Sequence, residues 1–423
     1  MRDKSQPNND AKPMHKPKKI LIHYTHKGTL GHSTRIQRLC HELVKTHGPG
    51  VEVHILQGGL PQPCVQFPKE TRLIPIPAPF DSRASFAIKH KIPQQEHLRS
   101  HFVLQMAQRI QPDIFLTEFF PFGRQDYTPE LLPAIHYLHA SGCRIYASIG
   151  YPCSVDLIDG QNKSLATTRA QIISLYDKLF IHTPENVENI YFQKTLPTKI
   201  LRQQYLDFFK AIAGKTVYTG YIVPARPEQT RQRASLLPQK HGQHTVVVSR
   251  GGGAVYPGVI VNAIKAQQLL GDNFRFIIAC GPSTSQAEHS LFQLALKKYP
   301  STHTVLLHDI PDLPYFLQHA STSVSLCGYN TSVQLMRAGI PGIVIPFINP
   351  HSPLPSNEQT ARALLLRDHA GSTILPYSQL TPTSLARAIH AACTCAKPTK
   401  KIPSCWFNGA ANTVKLLLSK TRH

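Results

Sequence analysis

Short apolar runs, each closed by a glycine-rich or polar turn and followed by residues at helical spacing, recur along this chain. The first is Lys19–Tyr24 (KILIHY); after it Ile36, Leu39, Cys40 and Leu43 mark one face of a helix that Ser33 or Thr34 stands ready to cap, and Val51–Leu56 (VEVHIL) completes a strand-helix-strand unit. Further strands are expected at Leu73–Pro75, Asp113–Thr117, Arg144–Gly150, Lys178–Thr183 and Val217–Gly220, with a helix from about Gln95 to Ile110. Tyr221–Pro227 reads as a proline-bearing linker. The grammar then restarts with His244–Ser249, Phe274–Cys280, Thr304–Leu307, Val324–Cys327 and the run beginning at Ile343, separated by helical stretches, and a last helix is expected over Asn408–Lys420. Alternation of this kind predicts two open parallel α/β sheets, each Rossmann-like.

Length agrees, since 423 residues exceed what one hydrophobic core usually supports. The expected division is a basic, unstructured leader over 1–18, an N-terminal domain over 19–222, a linker over 223–242, a C-terminal domain over 243–400 and a terminal segment over 401–423 that packs back on the first domain. No apolar run approaches the ~20 residues of a membrane span, and the N-terminus lacks the apolar stretch of a signal peptide. Nine cysteines, an odd number, fit reduced thiols in the cytoplasm better than a disulfide framework. Cys393 and Cys395 are only a C-x-C pair, so no metal site is expected.

Charge narrows the partners. A formal +22, from 46 Lys and Arg against 24 Asp and Glu, favours an anionic substrate or an anionic membrane face. The basic residues are dispersed, without interleaved aromatics or a zinc-finger or RNP signature, so no nucleic acid is expected.

Candidate chemistry sits at the turns that follow strands. Gly28 and Gly31 make the first turn flexible, and His32 lies at its mouth, where ligands meet the strand ends of open sheets. Glu118 follows the Asp113–Thr117 strand, placed as a general base would be; a salt bridge to Arg124 or another local basic group explains it equally well. Gly251, Gly252 and Gly253 let a phosphate approach the backbone, while Arg250 is free to clamp a phosphate or to pair with an acid. A nicotinamide site would want an acid at the end of the next strand, and Cys280-Gly281 stands there instead. In VSLCGYNTSVQLMRAGIP, Gly328 breaks a strand, Asn330-Thr331 open a short helix and Gly339 ends it, so unpaired N–H groups converge at an anion site.

Four ordered motifs carry a family resemblance: GHSTR (Gly31–Arg35), TEFFPFGR (Thr117–Arg124), the glycines 251–253 and GYNT (Gly328–Thr331). The chain resembles the GT-B glycosyltransferases of family 28 and, more closely, a group of predicted bacterial glycosyltransferases with these same motifs. The resemblance implies two Rossmann-like domains facing each other across a cleft and an inverting hexosyltransferase. A nucleotide-sugar substrate, expected to be a UDP-sugar, would be held by the C-terminal domain and an acceptor by the N-terminal one. It further implies that Ile310 meets the base through its backbone, that Gly328, Asn330 and Thr331 take the diphosphate, and that Glu358 and Gln359 face the sugar. Gln334 stands where the family's peptidoglycan-precursor enzyme has a glutamate on the ribose, and an amide gives that diol a weaker bond.

The reading is a metal-independent transfer to an acceptor hydroxyl without a cofactor, with Glu118 or His32 as base and the Gly328 turn stabilising the leaving diphosphate. The acceptor is expected to be lipid-linked or otherwise anionic, with the protein cytoplasmic or peripheral on an inner membrane. Two alternatives share the frame: an epimerase or hydrolase acting on the donor alone, and a non-catalytic UDP-sugar-binding subunit.

Overall fold

The computed structural model describes residues 16–26, 30–59, 62–76, 93–123, 127–151, 163–224, 242–252, 255–308, 313–348, 358–394 and 402–419. The expected leader up to residue 15, the turn glycine Gly28, Arg124, Cys395 and the linker over 225–241 lie outside the described residues.

The N-terminal lobe carries β1 (Lys18–Thr25), β2 (Val51–Gly58), β3 (Thr71–Pro75), β4 (Ile114–Glu118), β5 (Arg144–Ile149), β6 (Lys178–Ile181) and β7 (Thr216–Tyr218). They form one sheet in the order β3-β2-β1-β4-β5-β6-β7, with every pairing parallel. Its helices are α1 (Gly31–His47), α2 (Pro93–Ile110), α3 (Thr128–Ala140), α4 (Lys163–Ser174), α5 (Glu188–Thr195) and α6 (Lys199–Ala211). The C-terminal lobe repeats the plan with β8 (His244–Ser249), β9 (Phe274–Ala279), β10 (Thr304–Leu307), β11 (Thr322–Ser325), β12 (Gly342–Val344) and β13 (Thr373–Ile374). Their order is β10-β9-β8-β11-β12-β13, again all parallel. The helices between them are α7 (Gly258–Leu270), α8 (Gln286–Lys298), α9 (Leu313–Gln318), α10 (Tyr329–Ala338), α11 (Glu358–Ala370) and α12 (Pro382–Thr394).

Strands buried on both faces account for the continuous apolar runs. Ile20 and Ile22 face α1, while Leu21 packs with α2 and α3 on the other side. In α1 the expected stripe of Ile36, Leu39, Cys40 and Leu43 is fully buried, and each Ile or Leu so placed contributes roughly 1.5–3 kcal/mol. The chain closes with α13 (Gly409–Leu418), whose Val414 and Leu417 join the α1 side of the first lobe. Its start is pinned by Gly409 N–H to Tyr221 O (3.0 Å), and Asn412 Nδ2 donates to Thr219 O (2.8 Å). A side chain at Gly409 would collide with the Tyr221 backbone, 2.6 Å from its carbonyl carbon.

Two boundary expectations need the same correction. Ser33 and Thr34 do not cap α1, which starts directly at Gly31 behind Leu30; Thr34 Oγ1 donates back to Leu30 O (2.9 Å) and Ser33 donates to Gln62. Nor do Asn330 and Thr331 cap α10, whose N-cap is Gly328. α1 begins at Gly31 and α10 directly after Gly328, which draws the polar residues into the first turn and leaves the terminal N–H groups without a side-chain cap. The strand before α10 is Thr322–Ser325, two residues earlier than Val324–Cys327, because Ser323 and Ser325 are buried against the sheet face despite being polar.

Candidate active site

The strand order of each sheet reverses once, between β1 and β4 in the first lobe and between β8 and β11 in the second. Loops leaving neighbouring strands on opposite sides of such a point open a crevice at their carboxyl ends. The chain places His32 and Glu118 at the first crevice, and Gly251, Gly252 and Gly328 at the second. The two crevices face one another. Asn330 Nδ2 of α10 donates to Thr34 Oγ1 (2.7 Å) and Gly31 O (3.4 Å) at the start of α1, and Arg38 Nη1 donates to Asn330 Oδ1 (2.9 Å). Gly252 abuts Leu30, where an added side chain would lie 2.7 Å from Leu30 Cγ.

In the N-terminal crevice Glu118 is buried between His32 and Arg35: one oxygen meets His32 Nδ1 at 2.5 Å and the other accepts from Arg35 Nη2. Burial pushes the carboxyl up, but His32 and Arg35 outweigh it and hold it down to about 2. With Nδ1 as donor to a carboxylate, the neutral imidazole carries its acceptor lone pair on Nε2. Arg35 is itself buried, with its guanidinium carbon 5.2 Å from the ring centroid of Tyr329 across the lobes.

The TEFFPFGR segment builds this arrangement. Thr117 Oγ1 donates to Phe120 O (2.9 Å) and meets the Tyr176 hydroxyl (2.9 Å), fixing the turn beyond Glu118. Phe119 sits at φ 64°, a strained value for a bulky residue, and its ring lies edge-on to His32 at 5.7 Å. Gly123 makes space for that ring, since a Cβ there would lie 2.6 Å from Phe119 Cδ1. One strand over, His182 bridges Ser148 Oγ and Thr219 Oγ1 (both 2.8 Å), and burial pushes its imidazole well below the ordinary value, so it is neutral. Its carbonyl accepts from the Tyr329 hydroxyl (2.7 Å), a further tie between the lobes.

The C-terminal crevice offers backbone in place of side chains. Gly328 precedes α10 with no side-chain cap and no acidic residue in the first turn, and a Cβ at Gly328 would meet nothing within 4 Å. The N–H groups of Tyr329, Asn330 and Thr331 precede the first helical bond, Ser332 N to Gly328 O (3.0 Å), so the positive end of the helix opens on the cleft. Gly251 takes φ 68° and lies so near Gly281 that a Cβ on Gly281 would come 2.5 Å from Gly251 O, which brings the loops after β8 and β9 into backbone contact.

Several expected site residues have other tasks. Arg250 clamps no phosphate: it is buried, and its guanidinium holds Glu288 Oε1 (2.8 Å), Thr284 Oγ1 (3.0 Å), Val255 O and Cys280 O, tying the glycine loop to the start of α8. Gln359 does not present its amide oxygen to a sugar, because Oε1 accepts from Cys327 N (3.1 Å) and Phe347 N (2.9 Å); it fixes the backbone leading into the Gly328 turn. Asn330 is spent on the lobe contact, leaving its backbone rather than its side chain for an anion. Glu358 is partly exposed beside Arg362 (3.3 Å) at the start of α11, and Thr331 is buried in the first turn of α10. Gln334 is buried in α10, and its Oε1 finds no hydrogen-bond partner among the described residues. Gly253 and Ile310 lie outside the described residues.

Arg35, Tyr329 and Arg362, not singled out as candidates from the sequence, brace the two crevices through Glu118, His182 O and Cys327 O. The signal for Arg35 was available: it stands three residues after His32 and interrupts an otherwise apolar helix face. Arg362 gave no such signal, because its partners come from distant segments. It donates to Cys327 O (2.7 Å), lies 4.6 Å over the Tyr151 ring and approaches Glu188 Oε2 at 3.6 Å.

Residues 245–404 match the glycosyltransferase family 28 C-terminal domain. No curated protein sequence matches the chain. Among solved structures, the calicheamicin glycosyltransferase CalG4 is similar at TM-score 0.62 and 12% identity, covering 96% of this chain and 99% of that one. MurG of Acinetobacter baumannii is similar at TM-score 0.51 and 15% identity over 95% and 99%. The UDP-GlcNAc 2-epimerase of Methanocaldococcus jannaschii is similar at 0.54 and 12% over 94% and 99%. The two facing parallel sheets are therefore the GT-B fold, and the second domain resembles the family 28 C-terminal domain.

Proposed function

We propose, for a GT-B chain whose second domain is of family 28 type, that it transfers a sugar from a nucleotide-sugar to an acceptor hydroxyl. The observation that carries this reading is the opposition of a carboxylate-oriented histidine and an uncapped helix N-terminus at the two facing crevices. The donor diphosphate lies at Gly328 and the backbone N–H groups of α10, which meet the charge that grows on the leaving group. Gln334, with its buried amide oxygen, is the candidate for the ribose hydroxyls, and Glu358 for the sugar. A UDP-sugar is the favoured donor, because this fold serves a UDP-GlcNAc epimerase and the second domain matches family 28.

His32 takes the acceptor proton on Nε2 while Glu118 holds Nδ1–H, so Glu118 acts as the orienting partner rather than as the base. Attack from the N-terminal lobe on a donor held by the C-terminal lobe is in line and inverts the anomeric centre. Charge on the diphosphate is met by α10, so the reaction proceeds without a divalent cation. The acceptor is lipid-linked or anionic, in keeping with the +22 formal charge.

The test is transfer from a panel of nucleotide-sugars in the presence and absence of acceptors and of a chelator, with products identified by mass and anomeric configuration. Transfer that survives EDTA and is lost in H32A supports the reading. An altered sugar formed from donor alone would replace it with epimerisation, the alternative favoured by the shared fold of the epimerase. Nucleotide binding with no turnover across the panel would reduce the protein to a binding subunit.

A further inference from the structure

The slot that holds Arg35 is built from both lobes. Its guanidinium lies against Glu118 on one side and the Tyr329 ring at 5.2 Å on the other. Below it is Gly150, where a Cβ would come 2.6 Å from Arg35 Cζ, so only glycine at the exit of β5 leaves the guanidinium its place. Gly150 is not among the glycines with positive φ, so its backbone does not itself require glycine. A buried arginine, a buried carboxylate and a histidine thus form one file from the interior to the cleft.

We propose that Arg35 is a positioning residue for the transfer reaction, holding the Glu118 carboxylate anionic and aimed at His32 Nδ1 so that His32 stays unprotonated, and competent as a base, at neutral pH. The other groups facing this file do not replace it. Tyr24 from β1 and Tyr329 from α10 are pushed up by burial and stay neutral. His182 beyond β6 is neutral, and Tyr151 beyond β5 is a phenol. Arg38, one helical turn along α1, is the other nearby cation, and it is directed at Asn330 and Ile222 O. Removing the positive charge of Arg35 raises the proton affinity of the Glu118–His32 pair as a unit, whichever atom then carries the proton.

This inference rests on the transferase reading for its kinetic arm only. With one donor and one acceptor, kcat is measured against pH for the wild type, R35Q and R35K. Gln keeps an N–H for Glu118 but not the charge, so the acidic limb should move up by about one pH unit or more while the alkaline plateau changes little. Lys restores the charge and should return the limb toward its wild-type position, with KM for the donor unchanged throughout. G150A, which crowds the guanidinium, serves as a second route and should move the limb the same way. A fall in kcat with the limb in place in both R35Q and G150A would overturn the proposal and leave Arg35 a packing residue.

The second arm needs no turnover: the His32 Cε1–H resonance, identified by its loss in H32A, is titrated in wild type and R35Q. An upward move in R35Q supports the assignment, even in a protein that transfers no sugar, where only the transferase reading would fall. An unmoved titration overturns it whatever the kinetics show.

Discussion

The two lobes share one topology but solve the problem of charge differently. At the first switch point the charges belong to side chains: Glu118, Arg35 and His32 are linked in a buried file, and the sheet beside them adds a neutral His182. At the second, the charge is that of the peptide backbone, delivered by a helix that begins at a glycine with nothing to cap it. The proposed transfer asks for a proton to be moved at one site and a diphosphate released at the other. An imidazole can do the first, while fixed dipoles suit the second because they need no reorganisation as charge develops.

That contrast breaks most visibly at its two ends. H32A should lower kcat by roughly 100- to 10,000-fold while the melting-temperature increase produced by UDP stays as in wild type; a lost UDP response would place His32 in the donor site instead. G328D should do the reverse. The position has space for a side chain, and a carboxylate there would cap the α10 N–H groups and repel a diphosphate, so nucleotide Kd should rise roughly tenfold or more, about 1.4 kcal/mol. Isothermal titration that finds unchanged UDP affinity in G328D would remove the diphosphate from this turn.

A smaller effect comes from the seam between the lobes. Burial pushes the Glu188 carboxyl up, Arg362 and Tyr221 offset this only in part, and it comes to rest at about 7. Because the folded value is raised, the stability linked to this group is fully present below the unfolded value near 4.3 and is lost as pH rises through about 7. E188Q should therefore gain about 1–3 kcal/mol relative to wild type on going from pH 5 to pH 8, read by denaturant titration at both pH values. Glu118 works in the opposite direction. Its depressed value gives stability that is present above the ordinary carboxylate range and lost as pH falls toward 2. The smallest change is expected of N330A, which removes the bonds to Thr34 and Arg38 and should lower stability by about 1 kcal/mol without moving the pH profile of turnover. A displaced profile would show that this lobe contact also sets the chemistry.

Much of the fold was legible because strands buried on both faces announce themselves as apolar runs, and glycine marks where each run ends. The strand order was not legible, and with it went the convergence of His32 and Glu118, which depends on β4 pairing with β1 rather than with β3. What escaped was whatever depended on partners far along the chain. Of the two readings open to Arg250 the sequence could not choose the pairing with an acid, because Glu288 lies 38 residues away and Thr284 and Cys280 30 or more. Gln359 looked like a sugar contact because Cys327 is 32 residues distant. The helix starts at Gly31 and Tyr329 were each placed too late, since Ser, Thr and Asn next to a glycine resemble caps whether or not the helix has already begun. That error concealed the most useful property of both turns, which is that their terminal N–H groups have no side-chain cap.

The return of α13 to the first lobe bears on how the chain is made. Ile36, Leu39 and Leu43 belong to a core that also holds Val414 and Leu417, so during synthesis that surface stays without its cover until α13 leaves the ribosome. The N-terminal lobe is thus completed only after the C-terminal lobe has been made, and a nascent chain stalled before residue 409 carries an open greasy flank for chaperones to shield.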